Sequence, residues 1–225
     1  MMNVEQLFQK MWAQADQLAV NWLGTEYSYG QLLHKADDWN VRLNELSIRR
    51  GSVCGVIGDY SPEVCAAFLA LMRIGAILVP FTKASASQMN DSAALAGVQT
   101  LLTFSEDDTW TSETLVPGEP NELVTNFLKQ QHPGLVVFTS GSTGQPKGIL
   151  HDCELVLEKF MIPRTGYKTL LFLLMDHFGG FNTLMSVWAY GGTAVITPNR
   201  SPEEVCRTVE HTKAELLPIT PTFLN

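Results

Sequence analysis

The sequence has few cations, few cysteines and no long apolar run. Its 225 residues include 15 Lys and Arg against 23 Asp and Glu, which gives a formal net charge of −8 at pH 7. No cluster of Lys and Arg occurs along the chain. Binding to nucleic acid or to an anionic membrane surface depends on concentrated positive charge, so neither is expected as the main partner.

The cysteines argue against a disulfide framework and against a metal site. The four of them are far apart and form no C-x-x-C pair: Cys54, Cys65, Cys153 and Cys206. This spacing predicts reduced thiols in a cytoplasmic protein. The N-terminal residues lack the basic and apolar regions of a signal peptide. Apolar segments such as 64–72 and 170–175 are too short for a membrane span, and none is expected.

Alternating strand and helix signals predict an α/β fold. Hydrophobic residues make up 45% of the chain and charged residues 17%, which is typical of a globular protein. Strands are predicted at 53–57, 77–81, 100–104, 168–175, 193–197 and 214–219. The helices between the first three strands predict right-handed βαβ units, and hence mostly parallel sheets flanked by helices.

Several helices carry explicit start signals. Ser61-Pro62-Glu63 supplies a capping hydroxyl, a proline at the first helical position and an acid in the first turn, and Gly75 is a typical helix end. Ser201-Pro202-Glu203 repeats this pattern. Ser28 is a typical cap for a helix over 29–46. Further helices are predicted over 4–18, 87–96, 152–161 and 181–190, and a hairpin over 19–29.

We expect two βα-layered subdomains. The first βα unit covers residues 53–148, and a second begins at 149 and runs to 225. Residues 105–133 are acidic and contain Pro and Gly, which predicts an exposed linker with one helical piece at 122–130.

The clearest chemical motif follows the predicted buried strand 135–138. The next six residues are all glycine or hydroxyl-bearing: Thr139, Ser140, Gly141, Ser142, Thr143 and Gly144. A core disfavours this composition because every buried hydroxyl needs a partner. It suits an anion, since glycine backbone N–H groups and Ser or Thr hydroxyls are donors that approach phosphate oxygens closely. Lys147 adds a positive charge, so the segment predicts a phosphate-binding loop rather than a simple surface turn.

Two better-known motifs do not fit this segment. A Walker A loop requires G-K followed by Ser or Thr, whereas Lys147 lies three residues after Gly144 and precedes Gly148. A nucleophile elbow requires glycines two residues to either side of a serine, and neither Ser140 nor Ser142 has both. A P-loop kinase or NTPase is therefore disfavoured.

Residues 139–148 match the pattern (S/T)-S-G-(S/T)-T-G-x-P-K-G at every position. In this segment the chain resembles the adenylate-forming superfamily, which includes acyl- and aryl-CoA synthetases, luciferases and the adenylation domains of peptide synthetases. Residues 70–80 are similar to a second family motif, and residues 27–32 more weakly to an early one. The resemblance implies that the loop and Lys147 bind the β- and γ-phosphates of ATP. It also implies Mg²⁺, with its ligands mostly beyond residue 225.

A second candidate site segment follows a predicted strand: Asp176-His177-Phe178-Gly179-Gly180. It would lie at the carboxyl edge of the sheet, where open α/β folds bind ligands. Taken alone, His177 would be a hydrogen-bonded turn residue and Asp176 a helix cap. The H-x-x-G spacing is similar to that of acyl- and aryl-CoA synthetases. By this resemblance His177, Phe178 and Gly179 line the pocket for the carboxylic acid, and an acyl or aryl acid is favoured over an amino acid.

The resemblance implies ATP-dependent activation of a carboxylic acid as an acyl-adenylate, followed by transfer to a thiol of CoA or of an acyl carrier protein. Residues 1–225 would then form part of an AMP-binding N-terminal domain without the C-terminal domain. The family's N-x-Y-G-x-(T/S)-E and T-G-D segments and its C-terminal lysine do not occur in them, so no complete catalytic set is expected. Either the sequence is a truncated form of a longer protein, or a second polypeptide completes the site; self-association at the truncated end is a further expectation. The alternatives are a non-catalytic nucleotide-binding remnant or assembly partner, and a fragment of an amino-acid-activating domain.

Overall fold

The computed structural model describes residues 2–83, 85, 89–116, 122–140 and 146–223. Its strands are β1 (Leu18–Trp22), β2 (Thr25–Ser28), β3 (Val53–Ile57), β4 (Ile77–Phe81), β5 (Thr100–Phe104), β6 (Trp110–Thr114), β7 (Gly134–Ser140), β8 (Pro146–Asp152), β9 (Lys168–Leu170) and β10 (Thr193–Ile196). The helices are α1 (Val4–Trp12), α2 (Tyr29–Glu45), α3 (Pro62–Ile74), α4 (Met89–Ala96), α5 (Glu122–Leu128), α6 (Cys153–Glu158), α7 (Phe178–Tyr190) and α8 (Pro202–Thr212), with a 3₁₀ turn at Pro221–Phe223.

These strands form two mixed sheets. The larger has the order β6-β5-β3-β4-β7-β8, in which β5, β3, β4 and β7 are parallel and the two edge strands are antiparallel. The smaller has the order β2-β1-β10-β9, in which only the edge strand β2 is antiparallel. The predicted α/β class with mostly parallel sheets is confirmed.

The two sheets divide the chain differently from the expected boundary at residue 149. Strand β8 crosses that boundary and pairs with β7 in the larger sheet. The N-terminal hairpin of β1 and β2 belongs to the smaller sheet, because β1 pairs in parallel with β10, with Val20 opposite Ala194. The smaller sheet therefore combines the beginning of the chain with residues 168–196.

The helix start signals are confirmed. Ser61 Oγ accepts the Val64 N–H at 3.1 Å, and α3 begins at Pro62. This helix ends at Gly75, whose φ of +80° lies in the left-handed region that favours glycine. Ser201 caps α8 in the same way, and Ser28 caps α2 through a reciprocal bond with Gln31.

Other elements differ in extent from the prediction. Helix α1 ends at Trp12 instead of residue 18, and the following N–H groups of Gln14 and Ala15 bond to carbonyls three residues back. The predicted linker over 105–133 contains β6, an exposed edge strand whose polar side chains hid the strand signal. Helix α6 covers only Cys153–Glu158 of the predicted 152–161.

The predictions for the smaller sheet were too long in two places. Strand β9 covers Lys168–Leu170 instead of 168–175, because a tight turn in which the Phe172 N–H bonds the Leu170 carbonyl ends it. The predicted strand at 214–219 is reduced to a single bridge between Thr169 and Leu216. No helix in the described ranges is long and apolar enough to cross a membrane.

Helices α2 and α3 pack together over a carboxylate that is held by three donors. Glu63, in the first turn of α3, accepts from Trp39 Nε1 and Arg42 Nη1, both at 2.8 Å, and from Lys35 Nζ. Burial opposes ionisation of Glu63, but these three hydrogen bonds outweigh it and lower its pKa. The charge also lies at the N-terminus of α3, where the helix dipole favours an anion.

Replacing Glu63 with Gln should destabilise the fold by about 2 kcal/mol at pH 7, because hydrogen bonds to a charged, poorly exposed carboxylate are lost. Since the folded-state pKa is lowered, this contribution is present at neutral pH and is lost as the pH falls below about 4. Urea unfolding at several pH values measures both effects. The control Asp37→Asn removes an exposed pair with Arg73 and should leave the midpoint nearly unchanged. Equal midpoints for the two variants would show that the Glu63 carboxylate does not stabilise the packing of α2 on α3.

Candidate functional site

The hydroxyl- and glycine-rich segment belongs to a hairpin that leaves the larger sheet. Strand β7 pairs with β4 only at its first two residues, Gly134 and Leu135, and beyond them it pairs with β8 alone. Near the tip, Thr139 lies opposite Lys147. The predicted loop residues Gly141, Ser142, Thr143 and Gly144 lie outside the described residues, and only the backbone of Ser140 is described.

The described part of the hairpin is closely packed at two glycines, whereas its last described pair is exposed. A side chain at Gly134 would come within 2.8 Å of the Phe127 ring, and one at Gly148 within 3.1 Å of the Phe138 ring. Thr139 and Lys147 are both exposed. Within the described parts of the chain, Lys147 makes no side-chain hydrogen bond or ion pair, so its ammonium group is available to an anion.

His177 lies at the start of α7. It is the N-cap residue but makes no side-chain cap bond, and 63% of its side chain is exposed. Phe178 and Gly179, predicted to precede the helix, form its first turn instead. Asp176 is not a helix cap: it is buried, and its Oδ2 accepts the Thr82 hydroxyl at 2.6 Å. Because Thr82 follows β4, this bond joins the carboxyl end of a central strand to the start of α7.

An aromatic stack connects the hairpin to the same helix. The His151 ring of β8 lies on the Phe178 ring with centroids 4.3 Å apart and planes inclined by 22°. Lys159 Nζ lies 4.8 Å from the centre of the Phe178 ring. Burial, and then the nearby charge of Lys159, lower the pKa of His151, so its neutral form is favoured. The stack places the strand that carries Lys147 beside the turn that carries His177.

Two contact residues, His151 and Thr82, were not identified from the sequence. Residues 147, 149 and 151 share one face of β8, because side chains alternate along a strand. This alternation would have placed His151 on the face of Lys147. For Thr82 no comparable signal exists, since its partner Asp176 is 94 residues away in the sequence.

A cavity of about 490 Å³ lies at the carboxyl ends of strands from both sheets. Its lining includes Gly58 after β3, Thr82 after β4, Ser105 after β5 and Thr197 after β10. Across it, Arg200 forms a two-pronged ion pair with Asp59, with Nη2 2.9 Å from Oδ1. This pair connects loops that follow strands of different sheets.

The described ranges provide no metal site, and three of the cysteines are unreactive. Within those ranges, no group of His, Cys, Asp and Glu is arranged to hold a metal ion. All four cysteines are free, as predicted. Burial raises the pKa of Cys54 to about 12 and also raises the pKa values of Cys65 and Cys153, which makes these thiols inert at neutral pH.

This chain is similar to a known protein family and to several curated proteins. The family model of AMP-binding enzymes matches residues 7–225. Among curated proteins, the hybrid PKS-NRPS synthetase xenE of Xenoacremonium sinensis is 27% identical over 78% of this chain and 5% of its own length. The D-alanine–D-alanyl carrier protein ligase of Streptococcus pneumoniae is 29% identical over 66% of this chain and 31% of its own length.

Solved structures show the same fold. The N-terminal domain of FACL13 from Mycobacterium tuberculosis superimposes with a TM-score of 0.79 at 20% identity, over 100% of this chain and 64% of that one. The o-succinylbenzoate CoA synthetase of Bacillus subtilis, in complex with the acyl-adenylate intermediate OSB-AMP, gives a TM-score of 0.76 at 18% identity, over 100% and 63%. The chain therefore spans less than two thirds of the length of these relatives.

Replacing Gly180 with Ala should destabilise the first turn of α7. The added carbon would lie 2.0 Å from the Leu174 carbonyl oxygen and 2.6 Å from the Tyr60 hydroxyl, so the helix must shift. We expect a loss of about 2 kcal/mol or more in the free energy of unfolding.

The neighbouring variant Gly179→Ala is the matched control. Its added carbon meets only the end of the Leu173 side chain, at 3.2 Å, and should cost little. Thermal unfolding of both variants measures the difference. A tolerated Gly180→Ala, with a midpoint equal to that of Gly179→Ala, would show that α7 does not pack on residues 60 and 174 as described.

Proposed function

The chain belongs to the family of AMP-binding enzymes, and we propose that it takes part in the ATP-dependent activation of an acyl or aryl carboxylic acid. The activated acid would be an acyl-adenylate, which then passes to a thiol of CoA or of an acyl carrier protein. The observation that carries this proposal is the hairpin of β7 and β8. It leaves the sheet, and the exposed residues Thr139 and Lys147 lie opposite each other at the end of its described part.

We assign the phosphate-binding role to the hairpin tip: Thr139, Ser140, Gly141, Ser142, Thr143, Gly144 and Lys147. A lysine ammonium is a strong point charge for phosphate oxygens. Lys147 is exposed and has no carboxylate partner among the described residues, so its charge would be available to phosphate oxygens. Hydroxyl and backbone N–H donors around it would bind the remaining oxygens of the departing pyrophosphate.

The acid would bind beside His177, Phe178 and Gly179. The stack of His151 on Phe178 places this turn next to the hairpin strand, which supports a shared site. An amino-acid substrate is the second candidate, because the curated relatives include peptide synthetases, such as the polyketide synthase-nonribosomal peptide synthetase phmA of Phaeosphaeria nodorum. Against it, the Asp176 carboxylate is buried and hydrogen-bonded to Thr82, so it is not presented to a substrate amine.

In the proposed reaction, a carboxylate oxygen of the acid attacks the α-phosphorus of ATP. The bond to the bridging oxygen breaks, and that oxygen leaves with its electron pair as part of pyrophosphate. Lys147 would stabilise the charge that develops on this leaving group. Mg²⁺ commonly accompanies ATP phosphates, but the described residues contain no cluster to bind it, so we propose that its ligands lie outside them.

The thiol step and the cellular location follow from the same proposal. Attack of a CoA or carrier-protein thiol on the acyl carbon would release AMP and form a thioester. Free cysteines and a dependence on ATP are consistent with the cytoplasm as the site of action.

Replacing Lys147 with Ala should weaken ATP binding about tenfold, because one charge-assisted contact to the phosphates is lost. Isothermal titration calorimetry of the 225-residue chain with ATP measures the affinity. Lys129→Ala, which removes another exposed lysine from the far end of α5, is the control and should bind as the wild type does. If both variants bind ATP equally well, Lys147 does not contact the nucleotide.

The isolated chain of residues 1–225 should not exchange labelled pyrophosphate into ATP in the presence of carboxylic acids. The expected reason is that segments resembling the family's ribose-binding motif and C-terminal lysine are not among these residues. Acid-dependent exchange by the purified chain, above the level seen with Lys147→Ala, would contradict this expectation.

A further inference from the structure

A buried carboxylate lies directly beneath the exposed histidine of the candidate site. Asp176 retains only 7% of its surface, and one of its oxygens, Oδ2, is fixed by the Thr82 hydroxyl at 2.6 Å. Its other oxygen, Oδ1, is also buried and has no hydrogen-bond partner among the described residues. Burying a carboxylate oxygen without a hydrogen bond costs free energy. A donor that reaches this oxygen would therefore stabilise the site.

The nearest imidazole is in position to provide that donor. His177 Nε2 lies 4.0 Å from Asp176 Oδ1. The His177 side chain makes no cap bond to its own helix and is 63% exposed, so its ring is free to rotate. A rotation that closes the gap by roughly 1 Å would bring the two atoms to hydrogen-bonding distance.

Two side chains that line the neighbouring cavity, Arg200 and Tyr60, lie close to Asp176. Both are near enough to interact with its charge. The guanidinium of Arg200 donates its hydrogen bonds to Asp59 and to the Phe172 carbonyl. It therefore acts on Asp176 through its charge and does not donate a hydrogen bond to it. The Tyr60 hydroxyl is itself buried with no hydrogen-bond partner in the described part of the chain, and it packs against Gly180.

We propose that Asp176 is a positioning residue for His177. Its carboxylate, oriented by Thr82, accepts the Nε2–H of His177 and holds the imidazole in one tautomer and one orientation. Nδ1 is then left as the nitrogen that meets the acid or the acyl-adenylate. This proposal rests on the proposed function for its biological meaning, but the Thr82–Asp176–His177 chain can be tested without any substrate.

A purely structural role is the competing explanation. The Thr82–Asp176 bond already joins β4 to α7, and an acidic group before a helix N-terminus is favourable in itself. Such a role makes no demand on the protonation of His177. The tautomer of His177 therefore separates the two explanations, because the bond made by one ring nitrogen decides which nitrogen carries the proton.

The decisive variant is Asp176→Asn. Thr82 should continue to donate to the side-chain oxygen, now that of the amide, and the NH₂ group would take the place of Oδ1 and face His177. An NH₂ group can pair with Nε2 only if Nε2 is an acceptor. The variant should therefore shift His177 from the Nε2–H to the Nδ1–H tautomer in spectra recorded at about pH 8. ¹⁵N NMR of the histidine side chains measures the tautomer, with His177→Gln identifying the signal.

Two controls accompany this measurement. Asp37→Asn removes a distant exposed carboxylate and should leave the tautomer of His177 as in the wild type. In the double variant Thr82→Val/Asp176→Asn the amide is no longer oriented, so the Nε2–H tautomer should return. A His177 that remains in the Nε2–H tautomer in Asp176→Asn overturns the proposal, whatever the ATP titrations with Lys147→Ala show.

If Asp176→Asn fails to fold, as judged by circular dichroism, the wild-type chain decides the matter. A bonded Nε2 proton should exchange with water about tenfold or more slowly than the ring protons of His34, which is exposed. Thr82→Val should abolish this protection. Equal exchange rates for His177 and His34 would overturn the proposal.

Discussion

Parallel pairing of the central strands is the constraint on which the candidate site depends. Because β3, β4, β5 and β7 run in the same direction, their carboxyl ends meet at one edge of the larger sheet. The loops after β10 reach the same region, where Arg200 binds Asp59. Residues far apart in the sequence, such as Gly58, Thr82 and Thr197, are thereby gathered around one cavity, whose lining does not include Lys147 or His177.

Two contacts hold the start of α7, with His177 and Phe178, against strands of the larger sheet. The bond from Thr82 to Asp176 fixes the start of α7 on the end of β4, and the stack of His151 on Phe178 fixes the same turn against β8. Strand β7 pairs with β4 only at Gly134 and Leu135, so Thr139 and Lys147 lie beyond the pairing with the sheet. In the proposed function, the exposed Lys147 beyond this pairing would meet the phosphates.

Much of the fold was predictable from local signals, and the failures have a common cause. Helix α3 was predicted to the residue, because Ser61, Pro62 and Gly75 determine its ends by short-range hydrogen bonds and backbone preference. Strand β6 and the short β9 were not, since their extent depends on pairing with distant strands. The candidate site follows the same division. The loop and the H-x-x-G residues were predicted as site residues from their type, their spacing and a family resemblance, and these assignments stay predictions. The supporting contacts of Thr82 and His151 arise only from tertiary packing.

The most direct test of the phosphate-binding assignment is the response of backbone amide NMR signals to adenine nucleotides. If the hairpin tip holds the phosphates beside the start of α7, ATP and pyrophosphate should both shift the signals of residues 139–148. ATP should in addition shift those of residues 176–180, and adenosine should leave residues 139–148 unchanged. Shifts from ATP confined to other surfaces, with residues 139–148 unaffected, would contradict the assignment of this hairpin as the phosphate-binding element.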